Sequence, residues 1–288
     1  MIRLGVVGNL SYDGLSTVLD TLRRRAPELD MSLAFEDEVW PLVDDADRLV
    51  NTDDIDALLT LGGDGTMLRG ARLIGERQIP ILGINLGRLG FLTACGGDEL
   101  ERALERLAGG DYVVQPRMAL DSGSSRPTHS RWRALNDVVL HKGGFARVVH
   151  LRVAVNGELI GAYAADGIII STPTGSTAYN LSAGGPVVVP SFESIVVTPI
   201  SPHTLAVRPV VLPPDSEVSV KAEDSPEELL VTVDGQVGAM FTADDTLHVR
   251  RAERPVLVVR FREATFFSRM RRKLGWGGLI SGAGGTPN

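Results

Sequence analysis

Cysteine is almost absent from this chain. Its 288 residues include one cysteine, Cys95, which excludes an internal disulfide and any metal site built from several cysteines. A single thiol is typical of a reducing compartment, and we therefore predict a cytoplasmic protein. Long apolar runs are missing too. The run Ile2–Val7 is broken by Gly8 and Asn9, too early for a secretory signal, and no run is long enough to span a membrane.

An excess of basic residues is also lacking. The formal net charge is −7, and proteins that bind nucleic-acid polymers without sequence preference need a basic surface. The composition therefore argues against that class of partner, while a small polyanion held in a local pocket stays compatible with it. The one basic cluster is Arg269, Arg271, Arg272 and Lys273, which we interpret as a solvated helix face.

The first part of the chain alternates short apolar runs with helical patterns. Strands are predicted at Arg3–Val7, before Gly62 and at Ile81–Asn85, and helices around Leu15–Arg25 and Asp98–Ala108. Alternation of this kind predicts a mostly parallel sheet covered by helices. We therefore expect an α/β N-terminal domain over residues 1–115.

The second part is rich in strand patterns and turn residues. Asn156-Gly157, between two apolar runs, is a strong hairpin signal. Further strands are predicted at Arg147–Val155, Glu158–Tyr163, Ser194–Thr198, Glu217–Lys221, Glu228–Val233, Leu247–Arg250 and Val256–Phe261. We expect a β-rich domain over residues 116–262, with an exposed loop at Asp121–Ser130. In residues 263–288, Phe266–Leu274 is a predicted helix that packs back on the first domain, and disorder is predicted beyond Gly275.

The sequence Leu-Gly-Gly-Asp-Gly-Thr at 61–66 joins a buried strand to a helix. Gly62, Gly63 and Gly65 allow the backbone to adopt positive φ and let a ligand approach it closely. Amides at such a turn favour a phosphate. Asp64 is then a candidate proton acceptor or metal ligand, or else it only hydrogen-bonds its own turn. The spacing matches neither a Walker loop nor a dinucleotide fingerprint.

Hydroxyl groups crowd the segment that follows the apolar strand 167–171. Four of the six residues in 172–177 carry one, and Gly184-Gly185-Pro186 ends the short helix that follows. Ser176 or Thr177 is a natural helix N-cap, which accounts for one hydroxyl. A polar ligand rich in acceptors, such as a nucleotide, would use the others.

Two further polar groups interrupt apolar runs. Asn136-Asp137 suits the two hydroxyls of a ribose, and the alternative is an edge-strand bulge. Asp234-Gly235-Gln236 is most simply a hairpin turn. Phe91 could cover a base, although an apolar anchor in the core is the commoner role for phenylalanine.

Together, Gly-Gly-Asp-Gly-Thr at 62–66, Asn-Asp at 136–137 and the block 166–186 resemble the NAD kinase family. The resemblance extends over nearly the whole chain, and the Thr-Pro-Thr-Gly-Ser-Thr-Ala-Tyr stretch is its most specific part. The Gly-Gly-Asp-Gly turn alone is shared with 6-phosphofructokinases and with diacylglycerol and sphingosine kinases. The resemblance implies a Rossmann-like, phosphofructokinase-like first domain and phosphorylation of the adenosine 2'-hydroxyl of NAD by ATP.

The resemblance also implies roles for individual residues. Asp64 would be the general base and Asp166 would accept from the nicotinamide amide, while Arg147 and Arg69 would supply charge near the phosphates. Gln236 would close the pocket. The residues placed around the nucleotide are Asp64, Gly65, Arg69, Asn136, Asp137, Arg147, Ala164, Asp166, Thr174, Thr177, Ala178, Tyr179, Asn180, Leu181, Ser182 and Gln236.

Two positions depart from the family pattern. Asp137 stands where many members carry glutamate, so the carboxylate is kept with a shorter reach. Ala164 stands where relatives often carry arginine or glycine, which weakens the contact expected there.

The implied partners are NAD, NADP and ATP, with Mg²⁺ bound mainly through the ATP phosphates, in a homodimer or homotetramer. Inorganic polyphosphate stays open as an alternative phosphoryl donor. Two functions of other classes were weighed against this one. A lipid kinase would need an apolar or membrane-facing surface, which this acidic chain with its polar 174–177 loop lacks. A non-catalytic dinucleotide sensor would not need Asp64.

Overall fold

The structure is a computed structural model that describes residues 1–43, 46–88, 90–125, 131–143, 148–204, 206–223, 229–242, 245–263 and 265–276. In chain order its strands are β1 (Ile2–Gly8), β2 (Met31–Phe35), β3 (Asp47–Arg48), β4 (Ala57–Gly62), β5 (Ile81–Asn85), β6 (Cys95–Gly96), β7 (Val113–Arg117), β8 (Leu120–Ser124), β9 (Trp132–Ala134), β10 (Asp137–Lys142), β11 (Val149–Val155), β12 (Glu158–Ala165), β13 (Gly167–Ser171), β14 (Ile195–Ile200), β15 (Val210–Leu212), β16 (Val218–Glu223), β17 (Leu229–Val233), β18 (Gln236–Phe241), β19 (Thr246–Arg251) and β20 (Val256–Arg260). The α-helices are α1 (Leu15–Glu28), α2 (Asp64–Ile74), α3 (Leu100–Ala108), α4 (Tyr179–Ser182) and α5 (Phe266–Leu274), and short 3-10 helices cover Trp40–Leu42, Thr52–Asp54, Gly97–Glu99 and Gly175–Thr177.

The first of two compact units comprises Met1–Pro116 and Leu257–Asn288. Its sheet has the strand order β3-β2-β1-β4-β5-β20-β7, with β6 paired to β5. Strand β1 is parallel to β2 and β4, and β5 is parallel to β4. Strands β4 and β5 are buried along their whole length, as expected for strands of a parallel sheet that is covered on both faces. The predicted α/β architecture of this part is confirmed.

Strand β20 corrects the predicted organisation. We expected Val256–Phe261 to close the β-rich domain, but Val258 pairs in parallel with Ile81 of β5. Four of the five residues of β20 are buried, which suits an interior strand of the first sheet better than the half-solvated pattern of an antiparallel one. The chain therefore returns to the first unit at Leu257, before the expected boundary at 262.

Helix α5 also belongs to the first unit, as predicted for the C-terminal segment. Thr265 caps its start by accepting a hydrogen bond from the backbone amide of Ser268. The ring of Phe266 packs against Phe91, with 6.0 Å between ring centroids. Phe91 is buried, so it has the structural role of an apolar anchor that the sequence favoured.

The second unit, Arg117–Val256, contains two six-stranded sheets. Their strand orders are β15-β14-β13-β10-β17-β18 and β12-β11-β16-β19-β8-β9. Strand β11 buries Val149, Leu151 and Val153, which alternate along it and pack in one core with residues of β10 and β13. The predicted β-rich architecture is confirmed.

Both predicted hairpin turns are present. Asn156-Gly157 joins β11 to β12 and Asp234-Gly235 joins β17 to β18, and all four residues have φ between 50° and 84°. Positive φ at both central residues is what a two-residue hairpin turn requires.

The predicted loop Asp121–Ser130 is wrong in its first part. Residues up to Ser124 continue strand β8, which pairs with β19, for example Ser122 with Val249. Residues 126–130 and the predicted disordered tail 277–288 lie outside the described residues. Among the helices that are described, none combines the length and the apolar character needed to cross a membrane.

Candidate active site

The glycine turn places Asp64 at the first residue of α2. None of the three glycines of this turn has a positive φ. The glycines matter for the space around them. A Cβ at Gly62 would collide with Thr66, whereas a Cβ at Gly63 or Gly65 would meet no atom within 4 Å. Close packing therefore requires a glycine at Gly62, while Gly63 and Gly65 leave the backbone open to an approaching molecule.

The Asp64 carboxylate is held by the segment that follows β5. Its Oδ2 accepts the backbone amide of Phe91 at 2.7 Å and its Oδ1 accepts that of Leu92 at 2.9 Å. The side chain is 26% exposed, and the Lys273 Nζ lies 3.7 Å from Oδ2. A Cβ at Gly90 would overlap the carboxylate. Asp64 thus does more than hydrogen-bond its own turn, since its partners lie 27 and 28 residues away.

The basic cluster of α5 is only partly the solvated face that we predicted. Arg271 and Arg272 are exposed, but Arg269 is 6% exposed and Lys273 faces Asp64. The Arg269 guanidinium donates to the carbonyls of Thr93 and Ala94, and burial lowers its pKa. Sequence reasoning missed both residues. Their spacing of four residues, which places them on one helix face, was the available signal.

Arg69 makes contacts other than those expected of a phosphate ligand. Its guanidinium bonds the carboxylates of Glu36 and Glu38 and the carbonyl of Gly8. Burial raises the pKa of Glu36, and the nearby Arg69 partly offsets this shift. The positive charge of Arg69 is therefore committed to two carboxylates of the first unit.

The pair Asn136-Asp137 lies in the second unit, where the chain passes from the sheet of β9 to the sheet of β10. Asp137 begins β10, which is flanked by β13 and β17, so the edge-strand bulge is wrong. The Asn136 carbonyl accepts the Thr172 amide at 2.9 Å, and a Cβ at Gly175 would collide with that carbonyl. The structure thus brings Asn136 together with the hydroxyl-rich loop.

Asp137 is 3% exposed, and its carboxylate makes no hydrogen bond within the described part of the chain. Burial, with a smaller contribution from the charge of Asp234, raises its pKa to about 7. Asp234 itself accepts the backbone amides of Leu135 and Asn136 at 3.0 and 2.7 Å. A buried carboxyl without a partner is costly, so this position is suited to hydroxyl groups supplied by a ligand.

Most hydroxyls of the loop 172–177 are used inside the protein. Thr172 donates to the Leu135 carbonyl, Ser176 to that of Pro173 and Thr177 to that of Thr174. Neither Ser176 nor Thr177 caps the following helix, whose N-cap residue is Ala178, so that prediction is wrong. Thr174 is the loop residue whose hydroxyl finds no protein partner among the described residues.

The predicted site residues of the short helix α4 differ in access. Asn180 is fully buried, donates to the carbonyls of Ser176 and Pro186 and accepts from the Thr198 hydroxyl. Its side chain therefore holds the loop in shape. Exposed or partly exposed positions, which leave surface for a ligand, are Thr177, Ala178, Tyr179, Leu181 and Ser182.

Asp166 lies at the opposite end of β13 from the loop. It precedes Ser171 by five positions, about 17 Å along a strand, and its carboxylate pairs with the Lys142 Nζ at 2.6 Å. Lys142 is a third residue that sequence reasoning missed. Ala164 pairs with His150 in the other sheet and Gln236 is exposed at the start of β18. Arg147 lies outside the described residues.

Within the described ranges, no three side chains of His, Cys, Asp or Glu converge to form a metal centre. The polar groups instead form two sets. One surrounds Asp64 in the first unit, and the other surrounds Asn136, Asp137 and Thr174 in the second.

Family models match both parts of the chain. The model described as ATP-NAD kinase N-terminal domain matches residues 32–112, and the model described as ATP-NAD kinase C-terminal domain matches residues 135–261.

Curated relatives and solved structures agree with these matches. An NAD kinase of Gemmatimonas aurantiaca is 63% identical over 281 residues, which are 96% of this chain and 97% of the relative. An NAD kinase of Geobacter metallireducens is 49% identical over 77% of this chain and 79% of its own. An NAD kinase from Archaeoglobus fulgidus, solved in complex with ATP, superposes with a TM-score of 0.73 at 27% identity over 95% of this chain and 98% of its own. Yeast NADH kinase complexed with NADH shares the fold, with a TM-score of 0.82 at 24% identity over 100% of this chain and 89% of its own.

Proposed function

Because this chain belongs to the NAD kinase family and is an enzyme that phosphorylates NAD to NADP with ATP, we propose that Asp64 is the general base of the transfer. The observation that carries this proposal is the state of its carboxylate. Each oxygen accepts one backbone amide, and a quarter of the side chain stays accessible. A carboxylate oxygen accepts more than one hydrogen bond, so each retains capacity for a substrate hydroxyl.

The proposed step moves one proton and one phosphoryl group. The adenosine 2'-hydroxyl of NAD gives its proton to Asp64 as its oxygen bonds to the γ-phosphorus of ATP. The bond from that phosphorus to the β,γ-bridging oxygen breaks, and ADP leaves with the electron pair. A ribose hydroxyl is almost wholly protonated at neutral pH, so a positioned acceptor is needed as the new bond forms.

We propose that Asn136 and Asp137 of the second unit hold ribose hydroxyls. The Asn136 side chain and the Thr174 hydroxyl have no partner among the described residues, and Asp137 is a buried acid that lacks a donor. The exposed part of the stretch 177–182 supplies further surface for the nucleotide. Asp166 remains proposed for the nicotinamide amide, which requires the dinucleotide to extend along β13.

We propose that the divalent metal is bound mainly through the ATP phosphates. Mg²⁺ bound to the ATP phosphates would neutralise their charge during transfer. Gly63 and Gly65 leave the room that such a phosphate chain needs.

The test is a coupled assay of NAD, ATP and Mg²⁺ in which an NADP-specific dehydrogenase reports NADP. We expect Asp64→Asn to lower kcat by about 10²-fold or more, the scale of a positioned base. Asp20→Asn, an exposed carboxylate of α1, is the matched control and keeps the wild-type rate. A folded Asp64→Asn variant with wild-type kcat would show that another group takes the proton.

We also propose a cellular location and an oligomeric state for the enzyme. We propose a cytoplasmic enzyme, because a single cysteine is typical of a reducing compartment. We propose a homodimer or homotetramer formed through edge strands of the second unit, where Val210 and Val211 of β15 are exposed. Sedimentation of Val211→Lys against the wild type tests this: a variant of unchanged mass excludes the β15 edge.

A further inference from the structure

Two buried arginines contact the segment 90–94, which holds the Asp64 carboxylate. Arg260 of β20 and Arg269 of α5 are 5% and 6% exposed. Arg260 donates to the carbonyls of Phe91 and Thr93 at 2.8 and 2.7 Å. Arg269 donates to the carbonyls of Thr93, Ala94 and, at 3.4 Å, Gly90. Two guanidinium groups therefore fix the carbonyl side of the segment 90–94.

The amide side of the same segment faces Asp64. Two of its peptide groups bond an arginine at the carbonyl and Asp64 at the amide. The peptide from Phe91 to Leu92 accepts from Arg260 at its carbonyl and donates to the Asp64 Oδ1 at its amide. The peptide from Gly90 to Phe91 accepts from Arg269 and donates to the Asp64 Oδ2. Each carboxylate oxygen is thus joined to one buried arginine through one peptide group.

Such chains of hydrogen bonds have two physical consequences. A cation at a carbonyl polarises the peptide and strengthens its N–H as a hydrogen-bond donor to the carboxylate. Two rigid, planar guanidinium groups also fix the orientation of both peptide planes, and hence of both Asp64 oxygens. Ordinary packing of the segment would require neither charge, because burying a guanidinium is costly unless it is well bonded.

We propose that Arg260 and Arg269 are positioning residues for phosphoryl transfer, which orient the Asp64 carboxylate through the peptide groups 90–91 and 91–92 and strengthen the hydrogen bonds that it accepts. The proposal rests on Asp64 being the base. It makes the C-terminal helix α5, through Arg269, a working part of the active site, since Arg269 lies more than 170 residues from the segment that it holds.

The test uses Arg269→Lys, which keeps a charge but loses the forked geometry, and Arg260→Lys. Arg271→Lys is the matched control, an exposed position on the same helix. We expect both substitutions to lower kcat by about 10- to 100-fold, the range for a reacting group displaced by about an ångström. The KM values for NAD and ATP should change little, because neither arginine touches substrate in this proposal.

A double-mutant comparison separates positioning from general loss of structure. If the arginines act through Asp64, Arg269→Lys in the Asp64→Asn background should cost little further activity. Equal losses in both backgrounds would indicate a structural role and overturn the proposal, as would wild-type kcat in both lysine variants. If Arg269→Lys does not fold, as judged by thermal unfolding, Arg260→Lys carries the same comparison. An active Asp64→Asn enzyme would instead refute the proposed base, whatever the arginine variants show.

Discussion

Gly90 lies so close to Asp64 that a Cβ at Gly90 would overlap the Asp64 carboxylate. The two residues are far apart in the sequence, yet the absence of a side chain at one decides where the other can point. The backbone amides of the next two residues, Phe91 and Leu92, donate hydrogen bonds to the carboxylate and fix its position. This relationship leads to the first prediction, which concerns Gly90→Ala.

Gly90→Ala should displace the Asp64 carboxylate while leaving the fold intact. We expect kcat for NADP formation to fall by about 10- to 100-fold, because the proton acceptor no longer sits at its two amides. Gly14→Ala, where an added Cβ meets nothing within 4 Å, is the control and should retain wild-type kcat. Unchanged kcat in Gly90→Ala would show that Asp64 can function from another position.

Gly65→Ala should separate stability from activity. The added methyl meets no protein atom, and alanine favours a helix by about 1 kcal/mol over glycine, so Tm should stay constant or rise. Activity should nevertheless fall by about 10-fold or more, because the methyl enters the space proposed for the substrates.

Gly62→Ala is the contrasting variant at the same turn. Its methyl collides with Thr66, and we expect a loss of about 1–3 kcal/mol in the free energy of unfolding. Chemical denaturation and NADP assays of the two variants test the contrast. A fully active Gly65→Ala enzyme would contradict the proposed approach of a ligand to this turn.

Asp137 should make stability depend on pH. Its pKa is raised to about 7 in the folded protein and has its ordinary value near 4 in the unfolded chain. The folded state therefore binds more protons between these values, and the stability that this contributes at low pH is lost as pH rises toward 7. Asp137→Asn, which cannot ionise, should gain on the order of 2 kcal/mol relative to the wild type between pH 5 and pH 8.

Urea unfolding at several pH values measures this difference. Asp215→Asn, at an exposed position of the same unit, is the control and should parallel the wild type at every pH. A constant difference between Asp137→Asn and the wild type would show that Asp137 stays ionised in the fold.

Asn180→Ala should act on stability. The substitution removes two donated hydrogen bonds and leaves the buried Thr198 hydroxyl without its acceptor, which should cost about 2–4 kcal/mol. Ser182→Ala, at an exposed position of the same helix, should stay within about 0.5 kcal/mol. Thermal unfolding of the two variants measures this difference in stability. An unchanged Tm with a raised KM for NAD would restore Asn180 as a nucleotide ligand.

The correct predictions from the sequence rest on local patterns. The helical pattern around Leu15–Arg25 predicted α1, and the turns Asn156-Gly157 and Asp234-Gly235 predicted two hairpins. These features depend on neighbours a few residues away, so the chain carries their signal directly. One failure was local as well. The N-cap assigned to Ser176 or Thr177 was wrong because both hydroxyls bond elsewhere in the loop.

The sequence by itself determined the two-part architecture, the glycine turn with its carboxylate and the resemblance to NAD kinases, because each rests on the order of nearby residues. The tertiary structure alone decided that Arg269 is buried against the segment 90–94, that Asp234 holds the amides before β10 and that Asp166 lies at the far end of β13. These relationships join positions that are far apart in the chain, or fix which end of a strand a residue occupies. Periodicity and turn chemistry report on neither, since only the paired strands and packed helices bring such groups together.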